Sequence, residues 1–159
     1  RWGRMSTLQA TIRPAWGADL RGLGRIDPAL SKPGFGQRAV RLINQGRAWV
    51  ADIGGAPAGY AVTSQEFFAR PLVERSFVTE RFRRQGLGLA MLMRCETAHQ
   101  DDRIFVTIKV SDTAMLGLLA KAGFQGSGVI YNLNTDDPEL IYVKLRPPPL
   151  TFVKYQPSE

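Results

Sequence analysis

The run Phe77-Val78-Thr79-Glu80-Arg81-Phe82-Arg83-Arg84-Gln85-Gly86-Leu87-Gly88-Leu89-Ala90-Met91-Leu92-Met93 decides how the rest of the chain is read. It opens on an apolar pair, crosses a basic segment broken by two glycines, and continues as an apolar stretch. Such an order predicts a strand, a tight turn and a helix N-terminus. The first turn of a helix has backbone N–H groups without partners, and the macrodipole adds partial positive charge there. Glycine has no Cβ to hold a ligand away from the main chain. With Arg81, Arg83 and Arg84 just ahead, the loop suits an anion, most naturally a pyrophosphate.

Other glycine loops fit less well. A dinucleotide-binding fingerprint needs a third small residue where Met91 stands, and the residues before Gly86 are basic rather than the end of a buried strand. A P-loop needs Gly-Lys-Ser/Thr after a four-residue gap, and the chain has no such run. A surface turn that is merely basic is the plainer alternative.

Around this loop, 159 residues with 44% hydrophobic and 22% charged content make one soluble-type α/β domain, taken as residues 5–146 with a Pro-rich tail at 147–159. The net charge of +7 favours anionic ligands and is compatible with nucleic acid or an acidic protein. Cys95 is the only cysteine, so no intrachain disulfide forms and a reducing compartment, the cytoplasm, is expected. No apolar run approaches the roughly 18 residues that span a bilayer, so no membrane partner is expected.

Local patterns predict the remaining elements. Thr7 to Arg13 alternates as a half-buried strand, and Asp19, an N-cap candidate, opens a short helix to Ile26. A second helix runs from about Gln37 to Asn44 with Val40 and Ile43 inward. A hairpin turns at Gly54-Gly55, and a strand from Leu72 to Thr79 leads into the basic loop. Its parity puts Leu72, Glu74, Ser76 and Val78 on one face, a phase that a bulge would shift by one residue. A helix from Leu87 to His99 carries the stripe Leu87, Met91, Cys95 and Ala98, with Cys95 in the core and His99 complementing the helix dipole. Strand Ile104–Val110 follows, then a helix capped by Asp112 and ended by Gly123. Val129–Leu133 and Leu140–Leu145 close the domain as a strand pair.

At Asp112-Thr113-Ala114-Met115-Leu116-Gly117-Leu118-Leu119-Ala120-Lys121-Ala122-Gly123-Phe124 the chain resembles the GNAT superfamily of acetyl-coenzyme A-dependent N-acetyltransferases. Val78 to Gly88 is similar to that family's V-x-P-x-Y-R-G-x-G-x-G segment, and Asp112 to Phe124 to its N-x-A-x-x-x-L-Y-x-x-x-G-F helix. The order and separation of the two agree as well, which makes the pair far more specific than either motif. The resemblance covers about Leu8 to Arg146. It implies the order β-α-α-β-β-β-α-β-α-β-β, a central mixed and mostly antiparallel sheet flanked by helices, and a bulge in the strand from Leu72 to Thr79. It also implies that the helix pair between Asp19 and Asn44 covers the acceptor site.

For the site, the resemblance implies acetyl-coenzyme A held at its pyrophosphate by Arg83, Arg84, Gln85, Gly86, Leu87 and Gly88. Phe77 and Val78 would offer main chain to the pantetheine and the thioester carbonyl, and Asp112 stands at the family's usual asparagine. The expected reaction is direct transfer of acetyl to a primary amine of a small molecule or peptide in a ternary complex. Glu74, four residues before Val78, is the first candidate for general base, with burial expected to raise its pKa. The plainer reading is a glutamate paired with Arg75 or another cation. The usual general-acid tyrosine falls at Leu119, which cannot donate, and Tyr131 or Tyr142 would have to substitute. Two readings from other classes stand beside this one: an acyl-coenzyme A-binding module without turnover, and a basic nucleic-acid-binding domain. The scattered Trp2, Trp16 and Trp49 argue against the latter. The tail leaves room for a homodimer.

Overall fold

In the computed structural model, which describes residues 9–147, alternating apolar residues are assembled into one seven-stranded sheet. The elements run β1 (Ala10–Pro14), α1 (Leu20–Ile26), α2 (Phe35–Asn44), β2 (Ala48–Ile53), β3 (Ala56–Phe67), β4 (Arg70–Val78), α3 (Leu87–Thr97), β5 (Arg103–Lys109), α4 (Thr113–Lys121), β6 (Gln125–Ile130) and β7 (Glu139–Leu145). This is the element order that the family resemblance implied. Spatially the strands lie β1-β2-β3-β4-β5-β7-β6. Every neighbouring pair is antiparallel except β4 and β5, which are joined through α3 and run parallel.

Local chemistry accounts for the turns. Gly54 and Gly55 both have positive φ (61° and 85°), the requirement of a two-residue type I′ hairpin. α4 ends in a Schellman motif: Gly123 takes φ 84°, its N–H bonds the Ala120 carbonyl, and Phe124 N–H bonds the Leu119 carbonyl. Asp112 caps the other end of α4, its carboxylate accepting from Met115 N–H at 3.1 Å.

Each face of the sheet has its own core. α3 and α4 cover one face, where Met91, Leu92, Cys95, Leu119, Ala61, Val73, Ile104 and Val106 are almost fully buried. α1 and α2 cover the other, over Val50, Tyr60 and Val62, with Leu23, Leu42 and Ile43 beneath them. Each such aliphatic side chain contributes about 1.5–3 kcal/mol by leaving water.

β4 carries the feature that builds the site. Val62 pairs with Arg75 and Thr63 with Val73, so Glu74 is an extra residue opposite that step, a β-bulge. Val73 and Val78 therefore pack on the α3–α4 face, whereas Glu74 and Arg75 both reach the α1–α2 face. The strict alternation read from the sequence, with Glu74 on the face of Ser76 and Val78, is corrected by this one inserted residue.

Other boundaries move for physical reasons. Thr7 and Leu8, the start of the expected first strand, lie outside the described residues. Asp19 does not cap α1 with its side chain; the carboxylate instead accepts from Trp16 N–H and from Arg13. On α2 the inward stripe is Gly36, Ala39, Leu42 and Ile43, and Val40 is exposed. α3 ends at Thr97, and Ala98 is exposed rather than part of the stripe. β6 starts four residues before the expected strand, because Gln125-Gly126-Ser127-Gly128 is an edge segment with no buried face to betray it.

Candidate active site

The basic loop is built as its sequence suggests. After β4, a 3-10 turn spans Glu80–Phe82, and Phe82 packs against the core between α3 and the sheet. Arg84 and Gly86 follow with φ of 60° and 81°. Gly86 is the N-cap of α3, and no side chain caps that end. The N–H groups of the first turn therefore face outward with no intrahelical partner. Gly88 lets α3 approach α4, since a Cβ there would meet Leu118 Cδ2 at 2.8 Å. Arg84 and Gln85 are exposed. Arg83 is exposed too, but its Nε donates to the Val78 carbonyl at 3.0 Å, so the residue also braces the loop against the end of β4.

Beside the loop, the sheet opens. The parallel ladder between β4 and β5 has only two pairs, Leu72 with Phe105 and Val73 with Val106. Past the bulge the two strands part, and β4 continues to pair with β3 alone. The gap is a crevice of about 350 Å³ whose lining includes Glu74, Arg75, Ser76, Thr107, Asp112 and Glu139. Of the residues singled out in the sequence, it brings Glu74 and Asp112 together. Phe77 and Val78 carry β4 onward from the crevice to the loop. Their main chain is taken by β3 on one side, with Val78 opposite Gly59 and Phe77 opposite Tyr60.

Two opposed ion pairs fasten α1 and α2 over this region. Glu74 is held by Arg38 of α2 in a bidentate pair, Nε to Oε2 at 2.6 Å with Nη2 on Oε1. Next to it, Arg75 makes a bidentate pair with Asp27, which also accepts from Tyr60 OH at 2.7 Å and from Ala29 N–H. Burial pushes the Glu74 carboxyl up, but Arg38 and the Ser64 hydroxyl outweigh it and hold it below the ordinary glutamate value. The expected upward shift is thus corrected by a cation from 36 residues earlier in the chain. Asp27 behaves alike: burial opposes its charge, and Arg75, Tyr60 and Ala29 N–H more than compensate.

The tyrosine question is answered by packing. Leu119 is fully buried among the α3–α4 core, Tyr131 is 69% exposed, and Tyr142 packs against that same core. None of the three lines the crevice, whereas Ser76, Thr107 and Ser111 do, the Ser111 hydroxyl donating to Asp137. Sequence reasoning passed over Thr107 and Lys109, although they are the polar phase of the alternating strand β5. It also passed over Glu139, which carries no motif. His99 does not serve the helix dipole: it is 7% exposed and bonded to Thr63 and Gln65. Burial lowers its pKa, and Arg47 and Arg146 lower it further against the pull of Asp101. Cys95 is fully buried, with its thiol pushed up to about 12 by that burial.

Known proteins agree with this architecture. Residues 20–124 match the model of the Acetyltransferase (GNAT) family. No protein of curated function matches the sequence. Among solved structures, a GNAT-family acetyltransferase from Bacillus cereus ATCC 10987 superposes with a TM-score of 0.79 at 21% identity, over 88% of this chain and 99% of that one. The ribosomal-protein-S18-alanine N-acetyltransferase from Escherichia coli gives 0.73 at 18% identity, over 91% and 99%. The NatC complex bound to Gag peptide and CoA gives 0.71 at 17%, over 86% and 98%. With a family model spanning more than half of its length and a sheet that parts beside an uncapped helix, this chain belongs to the GNAT acetyltransferase family.

Proposed function

We propose that the protein transfers an acetyl group from acetyl-coenzyme A to a primary amine by direct attack, with both substrates bound together. The observation that carries this reading is the parting of β4 from β5 directly beside the open N-terminus of α3. The residues present fit the donor. Main-chain N–H groups from about Arg84 to Gly88 would take the pyrophosphate, Arg83 and Arg84 add positive charge, and Asp112 stands at the start of α4 across the crevice. Acetyl-coenzyme A supplies an activated acyl group and a thiolate that leaves readily.

The chain's own groups do the rest. The β4 main chain at Phe77 and Val78, which pairs with β3 alone, would orient the thioester on the side that β5 leaves open, and backbone donors aimed at a developing oxyanion are often the largest catalytic contribution. Glu74 borders the acceptor side of the crevice and, with Arg38, fixes α2 there. The only thiol is buried and held protonated, which favours direct attack over an acyl-enzyme on cysteine. A peptide acceptor is in keeping with the alanine and Gag peptide named for two of the structural neighbours. The acyl-coenzyme A-binding module without turnover remains as a second reading, because Leu119 removes the usual acid from the crevice.

A thermal-shift titration tests the proposal. Acetyl-coenzyme A should raise Tm, and coenzyme A lacking its 3′-phosphate and NAD should do so less or not at all. Gly86→Glu, placing a negative charge on the anion loop, should abolish the shift. An unchanged Tm near a millimolar acetyl-coenzyme A would sink the reading. Release of thiol on adding an amine would separate an enzyme from a binding module.

A further inference from the structure

Three carboxylates line the crevice, and two of them are already engaged. Glu74 is held bidentately by Arg38. Asp112 spends one oxygen on the first turn of α4, on the donor side. Glu139, the first residue of β7, differs. Its Oε2 accepts a single hydrogen bond, from Asn134 Nδ2 at 3.2 Å, and its Oε1 has no partner among the described residues. No cation lies within salt-bridge distance of it among those residues. The charged groups around it are Lys109, its register partner on β5, Asp112 in the same lining, and across the crevice the Arg38–Glu74 and Arg75–Asp27 pairs.

Its face matters as much as its freedom. On β7, Leu140 and Tyr142 pack with the α3–α4 core, so Glu139 alternates to the side of the sheet that Glu74 and Arg75 share with α1 and α2. That is the side opposite the helix N-terminus that suits the donor's phosphates. An amine arriving there as an ammonium meets one carboxylate with unspent lone pairs.

Resting on the proposed transferase reading, we propose that Glu139 is the general base: it receives the acceptor ammonium and takes its proton. The protonated amine gives one proton to the Glu139 carboxylate, directly or through one water, and the freed lone pair attacks the thioester carbonyl. The C–N bond forms and the C–S bond breaks. The second amine proton leaves with the thiolate, while Glu139 returns its proton to solvent. Glu74 then acts as a positioning residue that orders Arg38 and α2.

The test compares wild type, Glu139→Gln, Glu139→Asp and Glu74→Gln, with tyramine, spermidine and the tripeptide Ala-Gly-Gly as acceptors. Three readouts are taken: the Tm shift with acetyl-coenzyme A, calorimetric binding of the best acceptor to the dead-end complex with coenzyme A, and kcat/KM against pH. Glu139→Gln should keep the acetyl-coenzyme A shift, weaken acceptor binding about tenfold and lower kcat/KM about 100-fold. Its acidic limb should vanish, and Glu139→Asp should recover part of the loss. Glu74→Gln should keep that limb. A Glu139→Gln protein within threefold of wild type overturns the inference and leaves the transferase reading standing. Wild type that binds acetyl-coenzyme A but acetylates none of the three amines overturns the transferase reading, and Glu139 falls with it.

Discussion

At the scale of residues, the buried Asp27–Arg75–Tyr60 cluster is the most consequential set of polar contacts. Asp27 is 1% exposed and Tyr60 fully buried, so neither group has water to fall back on. Asp27→Ala should cost about 3 kcal/mol in a urea titration, the low end for breaking a buried pair because Arg75 keeps some solvent contact. Tyr60→Phe removes one hydrogen bond to a charged acceptor and should cost about 1.5–3 kcal/mol. Asp112 could be identified as a cap from its place before an apolar run, since capping is local. The partner of Glu74 could not. Arg75 stands next to it in sequence, but the bulge gives Arg75 to Asp27 and leaves Glu74 to Arg38, two matches made only by the fold.

At the scale of elements, close backbone approaches decide how α2 and α3 sit. A Cβ on Gly36 would lie 2.2 Å from the Leu30 carbonyl oxygen, and backbone cannot swing aside as a side chain can. Gly36→Ala should therefore destabilise the protein by about 1–3 kcal/mol, measured as a lower urea midpoint, and loosen α2 over the crevice. Gly86→Ala tests the opposite case. Space around Gly86 is open but φ is 81°, so the substitution should cost about 1–2 kcal/mol from the left-handed backbone alone. Helices and the hairpin were legible because their periods and turn residues are local. β6 was not: an exposed edge strand reading Gln-Gly-Ser-Gly has no alternation to detect.

At the scale of the whole molecule, His99 ties the end of α3 to β3 and to Arg146 beyond β7. Thr63 OH donates to the Arg47 carbonyl and Gln65 Nε2 donates to Nδ1, so neutral imidazole with its proton on Nε2 satisfies every group. Its folded pKa lies below the ordinary value of 6.5, so the unfolded chain binds the proton more readily. Stability should then fall as pH drops below about 6.5. Asp27 and Glu74 are also lowered, from 3.8 and 4.5, so their contribution is present above those values and is lost only at lower pH. The urea midpoint should drop between pH 7.5 and pH 5, and His99→Gln should flatten that drop. An equal drop in the variant would assign the effect to other groups.

The sequence by itself determined the basic turn at Gly86 and the helix after it, and the Asp112 cap; through the family resemblance it also implied the element order and showed Leu119 where that family usually has tyrosine. Those are properties of neighbours along the chain: period, turn chemistry and the spacing of short motifs. Tertiary structure decided the rest. It parted β4 from β5, turned Glu74 and Arg75 to one face, paired them with Arg38 and Asp27, buried His99 as a neutral group and brought Glu139 to the crevice. Each of these depends on which distant strand or helix lies opposite, because desolvation and ion pairing are set by spatial neighbours that local pattern does not name.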